Sequence, residues 1–252
     1  MDTALTDRVV LVTGGSRGIG RAVALAYGAE GARVALSYHS DEAAADKTAA
    51  AIREAGGEAL AVPLDLGDRT SAGLALDRVR DTWGGLDVLV HCAVAWPRST
   101  WPPDFTAEDA DRWSGTLRVN LEGVIGLTQR ALPMLVAGEW GRIVLLSSAA
   151  AEYGMPGEEA YAAAKAGLHG FARCLARDYG PRGVLVNIVM PGLTTTEHTL
   201  GAVPDPIRQA VAQQAPTQRL STPEDIAAAV LFLGSGANGN TTGEILRVTG
   251  GY

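Results

Sequence analysis

One stretch near the start constrains the chain more than any other: Val9-Val10-Leu11-Val12-Thr13-Gly14-Gly15-Ser16-Arg17-Gly18-Ile19-Gly20-Arg21. Its apolar run, Val9 to Val12, suits a strand buried on both faces, as in a parallel sheet. After the glycines, Ala22, Val23, Ala26 and Tyr27 recur at helical spacing. Strand, glycine turn and helix in that order present backbone N–H groups and the positive end of a helix dipole to a phosphate. Glycine lets that backbone tighten and come close to the anion.

The same alternation runs on to the end of the chain. Apolar runs predict further strands at 33–38, 59–64, 86–92, 142–147, 184–189 and 244–248. Helical patterns fill 41–55, 68–83, 106 to about 136, 159–179 and 222 to about 233. Gly56-Gly57 and Gly84-Gly85 stop two of them, and Thr222-Pro223-Glu224-Asp225 opens the last. Glu108 and Asp109 fall in the first turn predicted for the long helix from 106. Between 93 and 104 lies a loop holding Trp96, Pro97, Trp101, Pro102 and Pro103. Repeated strand–helix units imply an α/β fold: a Rossmann-type, doubly wound parallel sheet of about seven strands with helices on both faces. No linker or repeat divides the 252 residues, so residues 1–252 read as a single domain.

Composition removes several classes of function. A net charge of −7 argues against nucleic acid as a main partner, because phosphate binding needs a basic face. No apolar run reaches membrane-spanning length. The opening Met1-Asp2-Thr3-Ala4 is short and acidic, unlike a signal peptide. Cys92 and Cys174 lie far apart, which suits a reducing cytoplasm better than a disulfide framework. His39, His91, His169 and His198 have no metal-ligand spacing, so no metal is expected.

The strongest chemical signal is Tyr161-Ala162-Ala163-Ala164-Lys165. Residues at i and i+4 share one face of a helix. A phenol with a pKa of about 10 is a poor acid–base group near neutrality, and a nearby ammonium lowers it. Such a tyrosine can protonate a carbonyl oxygen. Ser148 ends the fifth apolar run, thirteen residues before Tyr161, with Ser147 as an adjacent competitor. A serine hydroxyl there suits a developing oxyanion.

Thr13, with Gly14, Gly18 and Gly20 in a G-x-x-x-G-x-G pattern, resembles the cofactor loop of the classical short-chain dehydrogenase/reductase family. Ser148, Tyr161 and Lys165 resemble that family's catalytic residues, as does Asn120 in Arg118-Val119-Asn120-Leu121. The resemblance implies that Tyr161 is the general acid, Lys165 lowers its pKa, Ser148 polarises the carbonyl and Asn120 holds a water for proton resupply. It also implies a cofactor site of Gly14, Ser16, Arg17, Gly18, Ile19 and Gly20, with Tyr38, His39 and Ser40 after the second strand. Asp65 and Leu66, Cys92 and Ala93, Tyr161 and Lys165, and Pro191, Gly192, Thr194 and Thr196 complete it. The position that reads a ribose 2′-hydroxyl in such folds is usually acidic, and here it is Tyr38. With Arg17 in the loop to meet a 2′-phosphate, the expected cofactor is NADP(H). One segment departs from the pattern: His91-Cys92-Ala93-Val94 stands where the family commonly has Asn-Asn-Ala-Gly.

Within the family the chain is most similar to 3-oxoacyl-[acyl-carrier-protein] reductases and the discrete ketoreductases of polyketide assembly. That implies an NADPH-dependent reduction of a 3-oxoacyl thioester on an acyl carrier protein. A carrier protein is acidic and needs a basic dock, for which Arg142, Arg177 and Arg182 are candidates. Glu139 departs from the basic turn of the fatty-acid enzymes. A lid is expected from 194 to about 216, limited by Pro204, Pro206 and Pro216. Trp96 and Trp101 either line an apolar pocket or pack the loop. The family's homotetramer implies an apolar contact at Ala164, Gly167, Leu168 and Phe171. Two alternatives stay open: a free-ketone or alcohol dehydrogenase, and a cofactor-binding subunit without turnover.

Overall fold

The computed structural model describes residues 2–96 and 104–251. Pro97 and Trp101 therefore lie outside the described residues. Seven strands form one sheet in the order β3-β2-β1-β4-β5-β6-β7, and every pair is parallel. They are β1 (Val9–Thr13), β2 (Arg33–Tyr38), β3 (Glu58–Pro63), β4 (Val88–His91), β5 (Gly141–Leu146), β6 (Val184–Pro191) and β7 (Ile245–Val248). The order reverses between β1 and β4, which pair from Val10 with Val88 to Thr13 with His91. In open α/β sheets that reversal opens a crevice at the carboxyl ends of the strands.

Alternation along the strands feeds two cores. On one face Leu11, Leu89, Ile143 and Ile188 pack under α3 (Arg69–Trp83), α5 (Gly123–Ala137) and α7 (Glu159–Tyr179). On the other, Val10, Val12, Leu36 and Val144 pack under α1 (Gly18–Ala29), α2 (Glu42–Glu54) and α10 (Pro223–Leu233). Local signals behave as the residues dictate. Gly84 caps α3 in the left-handed conformation at φ 85°. Thr222 and Asp225 close a reciprocal capping box on α10.

Three expectations need correction. The strand predicted at 86–92 is shorter, because the Ala93 N–H turns to Thr13 Oγ1 at 3.0 Å and Cys92 leaves the ladder. The long helix predicted from 106 to about 136 is broken. A 3₁₀ turn at Phe105–Ala107 precedes α4 (Ala110–Leu117), with Asp109 as its cap and Glu108 outside its first turn. A π turn at Arg118–Glu122 then separates α4 from α5. The segment expected as a lid is helical: α8 (Glu197–Ala202), capped by Thr196, is followed by α9 (Asp205–Gln214). A short α6 (Ala150–Tyr153) follows β5. No described helix is long and apolar enough to cross a membrane, and no metal-binding cluster occurs among the described residues.

Candidate active site

The crevice floor is built where β1 ends. Gly14 turns with φ +66°, and its N–H donates to Ser37 Oγ at 3.1 Å. A Cβ on Gly14 would stand 2.8 Å from Ala93 Cα, and one on Gly20 would overlap the Gly14 carbonyl. Loop, helix and the segment after β4 are thus in backbone contact that side chains would pry apart. The first turn of α1 has no side-chain cap at Arg17 competing for its N–H groups. A cradle of bare backbone donors at a helix N-terminus fits a pyrophosphate. Arg17 is exposed beside it; Ser16 and Ile19 are half-buried.

The remaining expected contacts gather around the crevice with one exception. At the end of β2, the Tyr38 hydroxyl donates to Glu42 Oε1 at 2.9 Å, and His39 and Ser40 are exposed. Sequence reading placed no carboxylate at this position, yet the turn into α2 brings Glu42 to it. His39 Nε2 lies 3.6 Å from Asp65 Oδ2. Leu66 is the exception: its side chain is buried in the core and its carbonyl abuts Gly123. Burial pushes the Cys92 thiol up to about 12. Pro191 ends β6, and the Gly192 N–H donates to Val248 O at 3.1 Å. Thr194 donates to Gly192 O at 3.0 Å. The Thr196 hydroxyl, expected to face the cofactor, caps α8 by accepting the Thr199 N–H at 3.1 Å. Its methyl group lies nearest the face of Gly18.

Helix α7 carries Tyr161 and Lys165 on one buried face, each 3% exposed. Lys165 Nζ stands 5.8 Å from the centre of the Tyr161 ring and donates to Leu146 O at 2.8 Å. Burial lowers the Lys165 pKa to about 8. Burial raises the Tyr161 pKa, a hydrogen bond with Ser148 pulls it down, and the charge of Glu158 raises it. Ser147 is turned away: its hydroxyl bonds His169 Nε2 at 2.7 Å and Lys165 O. Ser147 and Ser148 thus take different partners, His169 for the first and Tyr161 for the second.

Asn120 sits in the π turn, fully buried. Its Nδ2 donates to Ala95 O at 2.8 Å and Thr116 O at 3.0 Å, and its Oδ1 accepts the Ala95 N–H at 3.2 Å. The side chain is therefore a clamp on the segment after β4. His91, the last residue of β4, is buried, with Nε2 2.9 Å from Thr128 Oγ1. The Thr128 hydroxyl donates to Val124 O, so His91 Nε2 carries the proton. Burial first, then Lys165, push the His91 pKa down to about 3.

The clamp presents Trp96 directly to the site. Its ring centre is 5.0 Å from that of Tyr161 and 5.8 Å from that of His198 on α8. Trp96 is therefore a wall of the site. His198 was missed, because nothing in the sequence shows that α8 brings it to Trp96. Glu158 was missed as well. Arg142, by contrast, leaves the surface: it is 5% exposed and donates to Ser235 O and Asn238 O, stacked on Trp140. Ala164 and Leu168, expected at a subunit contact, are filled into the chain's own interior.

The family model described as enoyl-(acyl carrier protein) reductase matches residues 14–252. A 3-oxoacyl-[acyl-carrier-protein] reductase of Synechocystis is 37% identical over 99% of this chain and 98% of its own length. The chain is a short-chain dehydrogenase/reductase. As a member of that family it is an oxidoreductase that uses a nicotinamide cofactor. A cis-4-hydroxycyclohexanecarboxylate dehydrogenase of Sinomonas cyclohexanicum is 36% identical over 100% of the chain and 99% of that protein. A crystal structure of a dehydrogenase/reductase from Sinorhizobium meliloti 1021 superimposes with a TM-score of 0.92 at 35% identity, covering 99% of this chain and 96% of that one.

Proposed function

We propose that the protein reduces the ketone of a 3-oxoacyl thioester, carried on an acyl carrier protein, with NADPH. The observation that carries this reading is the buried Ser148–Tyr161–Lys165 group beside the glycine cradle. Bound there, the nicotinamide supplies hydride. Ser148 and Tyr161 hold the carbonyl oxygen by their hydroxyls, and Tyr161 gives it the proton that makes the alcohol. Burial holds the Tyr161 phenol above its ordinary pKa, not below it as the nearby ammonium predicts; the far more basic alkoxide that forms still draws its proton. Lys165, with a pKa near 8, keeps enough positive charge to support the phenolate that remains. Asn120 fixes the segment that carries Trp96 and lies in the path by which the proton is replaced.

Preference for NADP(H) is supported by exposed Arg17 beside the cradle; the end of β2, where Glu42 meets the Tyr38 hydroxyl, adds nothing to it. The carrier is proposed from the names of the relatives, with exposed Arg177 and Arg182 as its dock. A free cyclic alcohol or ketone is the second reading, favoured by the aromatic wall of Trp96 and His198 over Tyr161.

The test follows NADPH absorbance with one 3-oxoacyl group presented on an acyl carrier protein and on a pantetheine thioester. Turnover much faster on the carrier supports protein docking; equal or absent turnover on both overturns it and leaves the free-ketone reading. Tyr161→Phe must lose turnover while NADPH still binds, by equilibrium titration, more tightly than NADH.

A further inference from the structure

Helix α7 meets the end of β5 through side chains spaced one turn apart. Tyr161 shares a hydrogen bond with the Ser148 hydroxyl. Lys165 Nζ donates to Leu146 O at 2.8 Å. His169 Nε2 and Ser147 Oγ share a hydrogen bond of 2.7 Å, and the same hydroxyl reaches Lys165 O at 3.4 Å. Three consecutive residues, Leu146, Ser147 and Ser148, are thus each tied to one of three α7 residues at i, i+4 and i+8. Two of these ties belong to the chemistry already described. The third does not. Ser147 is buried and His169 half-buried, with the charges of Glu152, Arg173 and Arg247 acting on its ring.

The two members of the Ser148–Tyr161 pair are held differently. Ser148 is fixed by the sheet on both sides: the Ser147 N–H donates to Val189 O at 2.9 Å and the Ala149 N–H to Pro191 O at 3.0 Å. Tyr161 rides on α7. Apolar packing presses that helix onto the sheet but is non-directional, so it does not set where the helix stands along β5. Directional bonds do. Lys165 must also support the phenolate, so its ammonium is shared between two tasks. His169 has the one. We infer that His169 is a positioning residue: its hydrogen bond with Ser147 sets α7 against the end of β5 so that the Tyr161 and Ser148 hydroxyls converge on the ketone oxygen. This rests on the reading of Ser148 and Tyr161 as the groups that hold that oxygen. A misplacement of about 1 Å at such a pair costs up to about a hundred-fold in rate, so one distant bond is enough to govern turnover.

The experiment measures hydride transfer in a single turnover, with NADPH saturating, on 3-oxobutanoyl N-acetylcysteamine or, if wild type reduces it faster, cyclohexanone. It compares wild type with His169→Leu, His169→Gln, Ser147→Ala and the His169→Leu/Ser147→Ala pair. His169→Leu lowers the rate about ten-fold or more, while NADPH binds within about two-fold of wild type by equilibrium titration. His169→Gln, whose amide offers Ser147 either a donor or an acceptor, stays within about three-fold of wild type. The pair loses no more than His169→Leu alone, because both substitutions break the same bond. A rate within about two-fold of wild type in His169→Leu overturns the inference. So does a loss that glutamine does not restore, that comes with equally weakened NADPH binding, or that multiplies in the pair. Ser147→Ala carries the same expectation if the leucine chain does not fold. Ser148→Ala separates the inference from the reading beneath it. If that variant keeps the wild-type rate, or wild type reduces neither ketone, the reading has failed and the inference falls with it. If Ser148→Ala is slow and His169→Leu is not, the inference alone has failed.

Discussion

A methyl group at Gly18 and one at Gly20 meet different surroundings. At Gly18 it finds space 3.4 Å from Thr196 Cγ2, at a backbone φ of +54°. Gly18→Ala therefore costs about 1 kcal/mol of left-handed strain and folds. At Gly20 the methyl overlaps the Gly14 carbonyl, and Gly20→Ala costs about 3 kcal/mol as the loop is forced off α1. Denaturant midpoints of the two variants check the difference. Gly18→Ala should also weaken nucleotide binding, since its methyl stands in the cradle. His91 makes a second prediction at this scale. Its pKa in the fold is about 3 against an ordinary 6.5, so the unfolded chain takes up the proton first. Stability from this group is complete above pH 6.5 and is lost as pH falls toward 3. Between pH 7 and 4.5, His91→Asn should lose about 2 kcal/mol less than wild type in urea unfolding.

Among the elements, the break in the predicted long helix matters most. The apolar periodicity through 106–136 is real, but periodicity does not show where a helix opens. Asn120 can clamp Ala95 only from a π turn, and Gly123 must lie against the Leu66 carbonyl. Both demands come from distant segments, so no local pattern announces them. The strands were legible because burial on both faces leaves long apolar runs; that Tyr161 and Lys165 share a face follows from helix spacing, whereas Ser148 was singled out only by resemblance to the family pattern. The lid helices were hidden in a short polar stretch with prolines, and with them the approach of His198 to Trp96. Asn120→Ala frees three hydrogen bonds and with them the Ala95 segment. Activity should fall about ten-fold or more, and the Ala95 amide should exchange its hydrogen faster, as mass spectrometry would register.

At the scale of the whole molecule, charge decides how a carrier protein is met. The chain carries −7 overall, so an acidic partner is repelled except where arginine is exposed. With Arg142 turned inward onto Trp140, Arg177 and Arg182 are what remains of the expected dock. Reversing both to glutamate should raise KM for a carrier-bound substrate about ten-fold, leave a pantetheine thioester unaffected, and flatten the salt dependence of the former. The inward turn of Arg142 also has a reason that composition conceals. Its guanidinium satisfies carbonyls of the segment after α10, and Arg8 covers the other contact on Trp140.

The contact of Trp96 with Tyr161 and His198 has an optical consequence. An indole 5.8 Å from an imidazole is close enough for contact quenching, so a change in that separation changes its emission. Subtracting the emission of Trp96→Phe isolates this one ring from the chain's other tryptophans. Any displacement of α8 from Trp96 on adding nucleotide or ketone then registers as a change in that one ring's emission.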